Sequence, residues 1–344
     1  MIKAERWSDS KSFHRLVSMR QYCTSRIPGL CFCLVVVLAS SYISEHYGSS
    51  QILGALLLGM ALHNISQYPE FAPGLEFCAK VVLKCGVALL GVRIAFSQIT
   101  ELGFFPIVVV SISLLSTLLV GVLLAYIFGL NRIKGVISAA AVAICGVSAA
   151  LAVASLFKMN KETEKHLLCT VLGVTGLSTI CMILYPGILL HFDLRPEQMG
   201  IFLGASIHDV AQVFGAGEMI SSEVSELATY TKMLRVALLM PVIMVIALFM
   251  SQNSGNGKSR LQRSFPPFLI AFVGFVILAN SDFLPKTSLL LISDVSQICL
   301  WISMAALGAK TNLIDMWQVG KKPMLLLFLN TLFIAIVAFT LVVY

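Results

Sequence analysis

The stretch GASIHDVAQVFGAG, at residues 204–217, places His208 beside Asp209 within an otherwise apolar part of the chain. A histidine next to a carboxylate can exchange protons or bind an ion, and the flanking glycines allow a helix to bend or unwind. A charged side chain at the centre of a bilayer costs about 2.5–3.5 kcal/mol, so Asp209 must be paired, protonated or in contact with water. The stretch therefore predicts a functional site, with an ion pair that only fixes helix packing as the alternative.

The composition around this pair is that of a membrane protein. Of the 344 residues, 58% are hydrophobic and 12% are charged, and that charged fraction is about half of the usual value for soluble domains. Lipid offers the backbone no hydrogen-bond partners, so a chain within it must be helical or form a closed barrel. Long apolar runs without strict alternation exclude the barrel. The predicted fold class is an all-α polytopic membrane protein in the lipid bilayer.

Apolar segments recur along the whole chain, and the connections between them are too short for a soluble domain. There are eleven, at approximately residues 27–44, 50–64, 74–96, 103–128, 134–157, 165–190, 198–218, 225–250, 266–282, 288–310 and 320–343. The longest connection, residues 251–264, is polar and rich in glycine and serine, which is typical of a linker. We expect a single transmembrane domain over residues 27–344, with repeat halves at approximately 50–190 and 198–343.

A weak internal repeat supports this division. ALLGVRIAFSQI aligns with AALGAKTNLIDM, and one residue of slippage extends the alignment upstream. The matched positions are Gly91 with Gly308, Arg93 with Lys310, Asn64 with Asn280, and Pro69 with Pro285. Repeats of this kind are typical of secondary transporters, so segments 2–4 are predicted to recur in inverted form as segments 9–11. Because Arg93 and Lys310 stand at helix ends in both copies, we interpret them as anchors that reach the membrane surface.

Loop charges favour a cytoplasmic N-terminus. Residues 1–26 carry six lysines and arginines, which predicts a basic cytoplasmic arm followed by a retained helix. If segments 5 and 7 are re-entrant hairpins, the nine remaining spans place basic loops inside and Glu218, Glu223 and Glu226 outside. The hairpins then enter from opposite faces and meet near the midplane, whereas two unwound spanning helices are the alternative. The net charge of +7 is a topology signal and does not indicate nucleic-acid binding.

Basic residues are predicted deep in two helices. Counted at 1.5 Å per residue from the start of their segments, Lys84 and Arg235 lie roughly 15 Å into the membrane. Lys232 lies on the same segment as Arg235. Together their charge exceeds that of Asp209, and this excess predicts a small anionic ligand, since a guanidinium suits an oxyanion. Half-helix N-termini at the hairpin tips add N–H donors for the same anion.

Segment 5 is irregular at its centre, where Cys145, Gly146, Val147 and Ser148 lie between two alanine-rich halves. The small side chains allow close helix packing, and an ordinary helix with one glycine is the alternative. The chain has nine cysteines. Those within apolar segments are interpreted as buried reduced thiols, and their spacing does not predict a zinc site. No metal or cofactor is predicted.

Four motifs, CGVSAA, HDVAQVFGAG, TKMLRV and MAALGAKT, resemble the YeiH-like sulfate exporter family in their order and residues. The similarity covers roughly residues 27–344. It implies a multi-pass protein of the bacterial inner membrane, similar in outline to cation/proton antiporters and bile-acid symporters, and by analogy a homodimer. The family usually has His-Glu where this chain has His-Asp. Its signature residues fall on Gly146, Ser148, His208, Asp209, Gln212, Lys232 and Arg235.

The predicted function is secondary active transport of a small anion such as sulfate, sulfite or a sulfonate, by alternating access. The predicted anion-binding residues are Lys84, Gly146, Ser148, His208, Gln212, Lys232 and Arg235. Asp209 is predicted to bind a coupling proton or cation such as sodium, and both export by exchange and uptake by symport are compatible with this. An anion channel and a membrane-embedded enzyme are the alternatives. The sequence contains no HExxH, no GxSxG and no spaced aspartate pair, so an enzyme is not predicted.

Overall fold

The computed structural model describes residues 24–48, 50–157, 159–250, 267–281, 283–311 and 320–344. The basic arm over residues 1–26 lies almost entirely outside these ranges, and the linker at 251–264 lies wholly outside them. Predictions on those two segments therefore stay predictions.

The described residues are organised into α-helices, which we number in chain order. These are α1 Ile27–Tyr47, α2 Gln51–Ala61, α3 Ala72–Phe77, α4 Leu83–Leu89, α5 Phe96–Leu102, α6 Phe105–Ile127, α7 Arg132–Ala140, α8 Val147–Ala154, α9 Lys161–Leu189, α10 Pro196–Ser206, α11 Val210–Glu218, α12 Ser222–Ala237, α13 Leu239–Met250, α14 Pro267–Ala279, α15 Lys286–Lys310 and α16 Lys321–Val343. Tighter 3₁₀ turns occupy His63–Gln67 and Leu90–Arg93, and wider π turns occupy Cys78–Val82 and Ala141–Cys145.

Local sequence explains where several helices begin. A proline occupies the first turn of α1, α6 and α10, where its missing N–H costs nothing. Side-chain oxygens cap three others, from Asn131 to the Ile133 N–H, from Asn160 to the Thr163 N–H, and from Ser221 to the Val224 N–H. Each cap satisfies a backbone donor that the first helical turn leaves unpaired.

Six helical stretches in the described residues are long and apolar enough to cross a membrane. They are α1, α6, α9, the run Ser222–Ile246 over α12 and α13, α15, and α16. The shorter apolar helices α2 and α14, the interrupted stretch from α3 to Arg93, and two helical hairpins account for the remaining apolar segments. The structure confirms an all-α polytopic membrane protein.

Segment 5 forms a re-entrant hairpin, which we call hairpin A (α7, the π turn at Ala141–Cys145, and α8). Two contacts fix the direction of its first arm, because Lys134 pairs with Glu162 at 3.1 Å and Ser138 Oγ lies 2.8 Å from His166 Nε2. The arm α7 thus runs parallel to α9, whereas α8 leads into α9 and packs back along it. The reversal occurs at Gly146, whose φ of 63° and ψ of −123° only glycine adopts without strain.

Segment 7 forms a second hairpin, hairpin B, from α10 and α11. Gly200 packs against Leu227 of α12, and Gly204 packs one turn further along, against Thr231. The arm α10 therefore runs parallel to α12. The other arm returns in the opposite direction, because Gly217 near the end of α11 packs against Ser225 near the start of α12. Segments 5 and 7 are thus hairpins, and unwound spanning helices do not describe them.

The described residues divide into two compact units, one within Met1–Gly86 and Ile298–Thr311, and the other within Val87–Gln297 and Asn312–Tyr344. Each unit contains a close backbone contact made by a glycine of the predicted repeat. In the first unit, Gly308 of α15 lies against the Leu56 carbonyl of α2. In the second, Gly91 lies against the Phe272 carbonyl of α14.

The two contacts are the same contact under the repeat alignment. That alignment pairs Gly91 with Gly308, and its upstream part pairs Leu56 with Phe272. The packing of one glycine on one carbonyl thus recurs at positions that were matched by sequence alone. The boundaries of the repeat halves, and a single domain over residues 27–344, stay predictions.

We predict that Gly91→Ala destabilises the protein by about 1–3 kcal/mol, because a Cβ at this position collides with backbone atoms that cannot move independently. The matched control is Gly274→Ala on α14, where a Cβ meets nothing within 4 Å. Alanine favours a helix over glycine by up to about 1 kcal/mol, so the control should be neutral or slightly stabilising. Thermal unfolding of the detergent-solubilised variants measures both, and equal midpoints contradict the contact.

Candidate functional site

The tips of the two hairpins touch. A Cβ placed on Gly146 would lie 3.7 Å from His208 Cβ and 3.8 Å from the His208 carbonyl oxygen, which is ordinary van der Waals contact. Any side chain at position 146 would also require a positive φ, which glycine alone adopts freely. The glycine in CGVS and the histidine in HDVA are therefore neighbours at the point where hairpins A and B meet.

The first arm of each hairpin presents its carbonyl end to Arg235. This side chain is 1% exposed, so its guanidinium is shielded from solvent. Its nitrogens donate to Ala143 O at 2.7 Å, to Ala205 O at 2.8 Å, to Ile207 O at 3.0 Å and to Val142 O. The last carbonyls of a helix lack partners within the helix and carry partial negative charge. Arg235 supplies both the donors and the positive charge that these ends need.

Lys232 completes the same arrangement one turn earlier on α12. Its ammonium is fully buried and donates to Ile144 O at 3.1 Å and to Ile207 O at 2.7 Å. Ile207 O accepts from both cations, so one carbonyl links the two side chains. The expectation that the charge of Lys232 and Arg235 is uncompensated is wrong, since backbone carbonyls of both hairpins accept hydrogen bonds from both side chains. Direct binding of an anion by these two residues stays a prediction.

The second arms begin at the tips and present their N-terminal ends to a more open environment. Ser148 in the first turn of α8 is exposed, and Val147, Asp209 and Val210 are half-buried. The two N-termini differ in how they are capped. Asp209 Oδ1 accepts from the Ala211 N–H at 2.9 Å, so its own carboxylate caps α11. The cap position of α8 is a glycine, which offers no side-chain acceptor.

Side chains of α9 and α16 hold the tip of hairpin B in place. Ser178 Oγ accepts from the backbone N–H groups of His208 and Asp209, both at 3.2 Å. His208 Nε2 lies 2.9 Å from Thr331 Oγ1 on α16. One hydroxyl thus satisfies two peptide N–H groups at the tip, and another contacts the His208 ring; a sequence-based charge count considers neither.

A second α9 residue anchors the following turn, because Gln212 Nε2 donates to Thr179 Oγ1 at 2.7 Å. Ser178, Thr179 and Thr331 were not among the predicted site residues. The sequence feature that could have identified them is a pair of adjacent polar residues in the middle of an apolar helix. These pairs are Ser178-Thr179 in α9 and Asn330-Thr331 in α16.

The interior around the hairpins is polar. Several buried side-chain atoms have no hydrogen-bond partner among the described residues, namely Ser113 Oγ, Thr117 Oγ1, Gln212 Oε1, Thr229 Oγ1, Thr231 Oγ1 and both amide atoms of Asn330. Burial of a polar group without a partner is costly, so such a set is not expected from packing alone. The hairpins are thus surrounded by groups that could bind or guide a polar ligand.

The structure brings together seven of the eight predicted site residues. Gly146, Ser148, His208, Asp209, Gln212, Lys232 and Arg235 all lie on the two hairpins or on α12 beside them. Lys84 is exposed and belongs to the other compact unit. Within the described ranges, no three His, Cys, Asp or Glu side chains are grouped so that they could hold a metal ion.

We predict that Arg235→Met lowers the free energy of unfolding by about 3 kcal/mol or more, because it leaves buried carbonyl oxygens of two hairpins without donors. The matched control, Lys84→Met, removes an exposed cation and should change stability by about 0.5 kcal/mol or less. Thermal unfolding in detergent measures the difference. An Arg235→Met variant as stable as the parent is incompatible with the capping role.

The chain matches a protein-family model described as Conserved hypothetical protein 698 over residues 28–327. It is 40% identical over 311 residues to a UPF0324 membrane protein of Chlorobaculum tepidum, covering 90% of this chain and 87% of the relative. A UPF0324 membrane protein of Rhizobium meliloti is 36% identical over 329 residues, with 95% of both chains covered. The UPF0324 membrane protein TauZ of Paracoccus denitrificans is 37% identical over 326 residues, with 93% of this chain and 96% of TauZ covered. The resemblance predicted from the motifs is thereby confirmed, and the chain belongs to the UPF0324 family of membrane proteins.

Proposed function

We propose that this membrane protein is a secondary transporter that binds a small anion at the crossing of hairpins A and B. The observation that carries the proposal is the polarity of the crossing. Lys232 and Arg235 neutralise the carbonyl ends of the first arms, while the N-terminal ends of the second arms stay partly accessible. Broken or re-entrant helices with this orientation are how secondary transporters present positive dipole ends to an anionic substrate.

The N-terminus of α8 is the proposed anion-binding position. Its first N–H groups carry partial positive charge. The residue at the cap position is Gly146, which has no side chain to accept a hydrogen bond from them. Ser148 adds a hydroxyl in the same turn, now bonded to Cys145 O at 3.1 Å. Sulfate, sulfite and sulfonates have several oxygens that could accept from adjacent donors at once, which supports this substrate class. Lys84 belongs to the other compact unit, and its role in anion binding stays a prediction from the sequence.

Asp209 is the proposed site of coupling. It caps α11, while the tips of the two hairpins are in contact, so its carboxylate and an anion at α8 are near neighbours. Two like charges repel by about 4 kcal/mol at a separation of about 4 Å and an effective dielectric constant of about 20, and the repulsion falls as the distance grows. A proton or a sodium ion at Asp209 removes this repulsion, so the anion and the coupling ion favour each other's binding. Reciprocal linkage of this kind is the basis of cotransport.

The proposed setting is the bacterial inner membrane, with the N-terminus in the cytoplasm and a homodimer as the working unit. The placement of the basic loops supports this topology. The protein is not proposed to be an enzyme, because its sequence contains no HExxH and no GxSxG motif. A carrier is distinguished from a channel by its exchange kinetics.

The purified protein in liposomes is expected to transport labelled sulfate, sulfite or a small sulfonate with saturable kinetics. Unlabelled anion on the opposite side should accelerate uptake of the labelled anion, because a carrier reorients across the membrane faster with an anion bound than when it is empty. Flux that is linear in concentration and shows no such counterflow contradicts a carrier. Flux that is no greater than in empty liposomes for all three anions contradicts the substrate class.

The same assay tests the binding position. Ser148→Ala removes a hydroxyl at the proposed site and is expected to raise KM about tenfold, the cost of one hydrogen bond to a charged group. Ser155→Ala is the matched control, since Ser155 is an exposed serine just beyond the end of α8, away from the tip. Equal effects of the two substitutions argue against an anion at the N-terminus of α8.

We predict that Asp209→Asn transports the anion with a rate that no longer depends on pH or on a sodium gradient. Asparagine keeps a side-chain oxygen for the cap of α11 but cannot take up a proton and carries no charge. The measurement is anion flux across imposed proton and sodium gradients, with the parent protein as reference. A variant that retains the full gradient dependence of the parent places coupling at another residue.

A further inference from the structure

Three charged side chains form a cluster at the end of α11 that is remote from the tip. Arg93 Nε lies 3.0 Å from Glu226 Oε1, and Arg93 Nη1 lies 3.5 Å from Glu218 Oε1. The three side chains are only 13%, 16% and 18% exposed, respectively for Arg93, Glu226 and Glu218, so salt screens them weakly. From the sequence, Arg93 is interpreted as an anchor at the membrane surface. The structure adds that two carboxylates hold its guanidinium, and its depth in the membrane stays a prediction.

The cluster links two parts of the second unit. Arg93 ends the turn at Leu90–Arg93, which packs on α14 through Gly91. Asn280 just after α14 strengthens that contact, because its amide donates to Ile94 O at 2.9 Å and accepts from the Phe96 N–H at 2.9 Å. The residues around Arg93 therefore belong with α14.

The carboxylates belong to the other part, which contains the proposed site. Glu218 is the last residue of α11, and Glu226 is on α12, the helix that carries Lys232 and Arg235. The nine residues of α11 separate the cluster from the tip, a distance of about 14 Å along the helix axis. The ion pairs thus tie the base of hairpin B to the α14 region, on the side of the chain that is predicted to face outward.

The repeat provides a comparison at the opposite face. The position equivalent to Arg93 is Lys310, which is predicted to face inward. Among the described residues Lys310 forms no ion pair, and it lines a cavity of about 160 Å³ together with Glu76 and Ser66. Equivalent positions of the two repeats therefore differ among the described residues, because ion pairs hold Arg93 whereas Lys310 lines a cavity. Alternating access requires such a difference between the two faces.

We propose that Arg93, Glu218 and Glu226 form the outer gate of this protein, shown here in its closed state. The inference rests on the proposed transport function, since only a carrier must close one face while the other is open. An ion pair suits a gate because its attraction is strong while it is buried and weak once water surrounds it. Separation of Arg93 from the two carboxylates would open a path along α11 to the hairpin tips.

The test measures access to the tip from outside. A cysteine replaces half-buried Val210 at the start of α11, and intact cells are treated with a membrane-impermeant maleimide. Modification at position 210 is then quantified by mass spectrometry of that peptide, so the native cysteines do not interfere. Arg93→Gln and Glu226→Gln are each expected to accelerate modification at least fivefold. The combined variant should be no faster than either one alone, because both substitutions break the same contact.

Two further variants make the result specific. Exchanging the charges, with Arg93→Glu and Glu226→Arg together, restores an ion pair and should return the rate to within about twofold of the parent. Lys134→Gln breaks the ion pair with Glu162 at the base of hairpin A and is the matched control, expected to leave the rate unchanged. Folding of each variant is checked by size-exclusion chromatography and thermal unfolding.

The gate proposal is overturned if folded Arg93→Gln is modified at the parental rate, or if Lys134→Gln accelerates modification as much. Inverted membrane vesicles provide the complementary measurement, in which the parent should be modified faster than in intact cells. Modification needs no substrate, so its outcome is independent of the flux assay. Failure of flux with an intact labelling pattern would count against the transported anion, whereas parental labelling of Arg93→Gln with normal flux would count against the gate alone.

Discussion

Two cations buried against backbone carbonyls hold the centre of this protein together. A lone ammonium or guanidinium in a membrane interior is expensive, and so is a helix end whose carbonyls have no donor. Here the cations and the carbonyls satisfy each other, because Lys232 and Arg235 donate to five different carbonyl oxygens near the tips of the two hairpins. The crossing at Gly146, the position of Asp209 and the open N-terminal ends all depend on this pairing.

Much of the architecture could be predicted from the sequence, because it follows from hydropathy, loop charge and glycine placement. Hairpin B follows from the charge rule, and Gly91 with Gly308 marks a contact that recurs in both units. The role of Arg235 could not be derived in this way. A count of side-chain charges omits the partial charges of backbone carbonyls, and those become available only where a helix ends inside the protein.

Residues that act through hydroxyl groups were missed for a related reason. Ser178 binds two backbone N–H groups of hairpin B, and Thr331 contacts His208, yet serine and threonine are common in membrane helices and carry no charge. The partners of Arg93 were also missed, since Glu218 and Glu226 are more than a hundred residues away from it along the chain. Long-range pairing of this kind cannot be read from local spacing.

The order of synthesis gives the carbonyl caps a consequence for assembly. The acceptors on hairpin A precede their donors on α12 by 88 to 93 residues, whereas those on hairpin B precede them by 25 to 30. Hairpin A is thus synthesised well before the residues of α12 that donate hydrogen bonds to its carbonyl end. Until α12 has been synthesised, the carbonyl end of hairpin A lacks the donors that Lys232 and Arg235 supply. The crossing is therefore completed late, and a nascent chain truncated before Lys232 would lack the cations that close it.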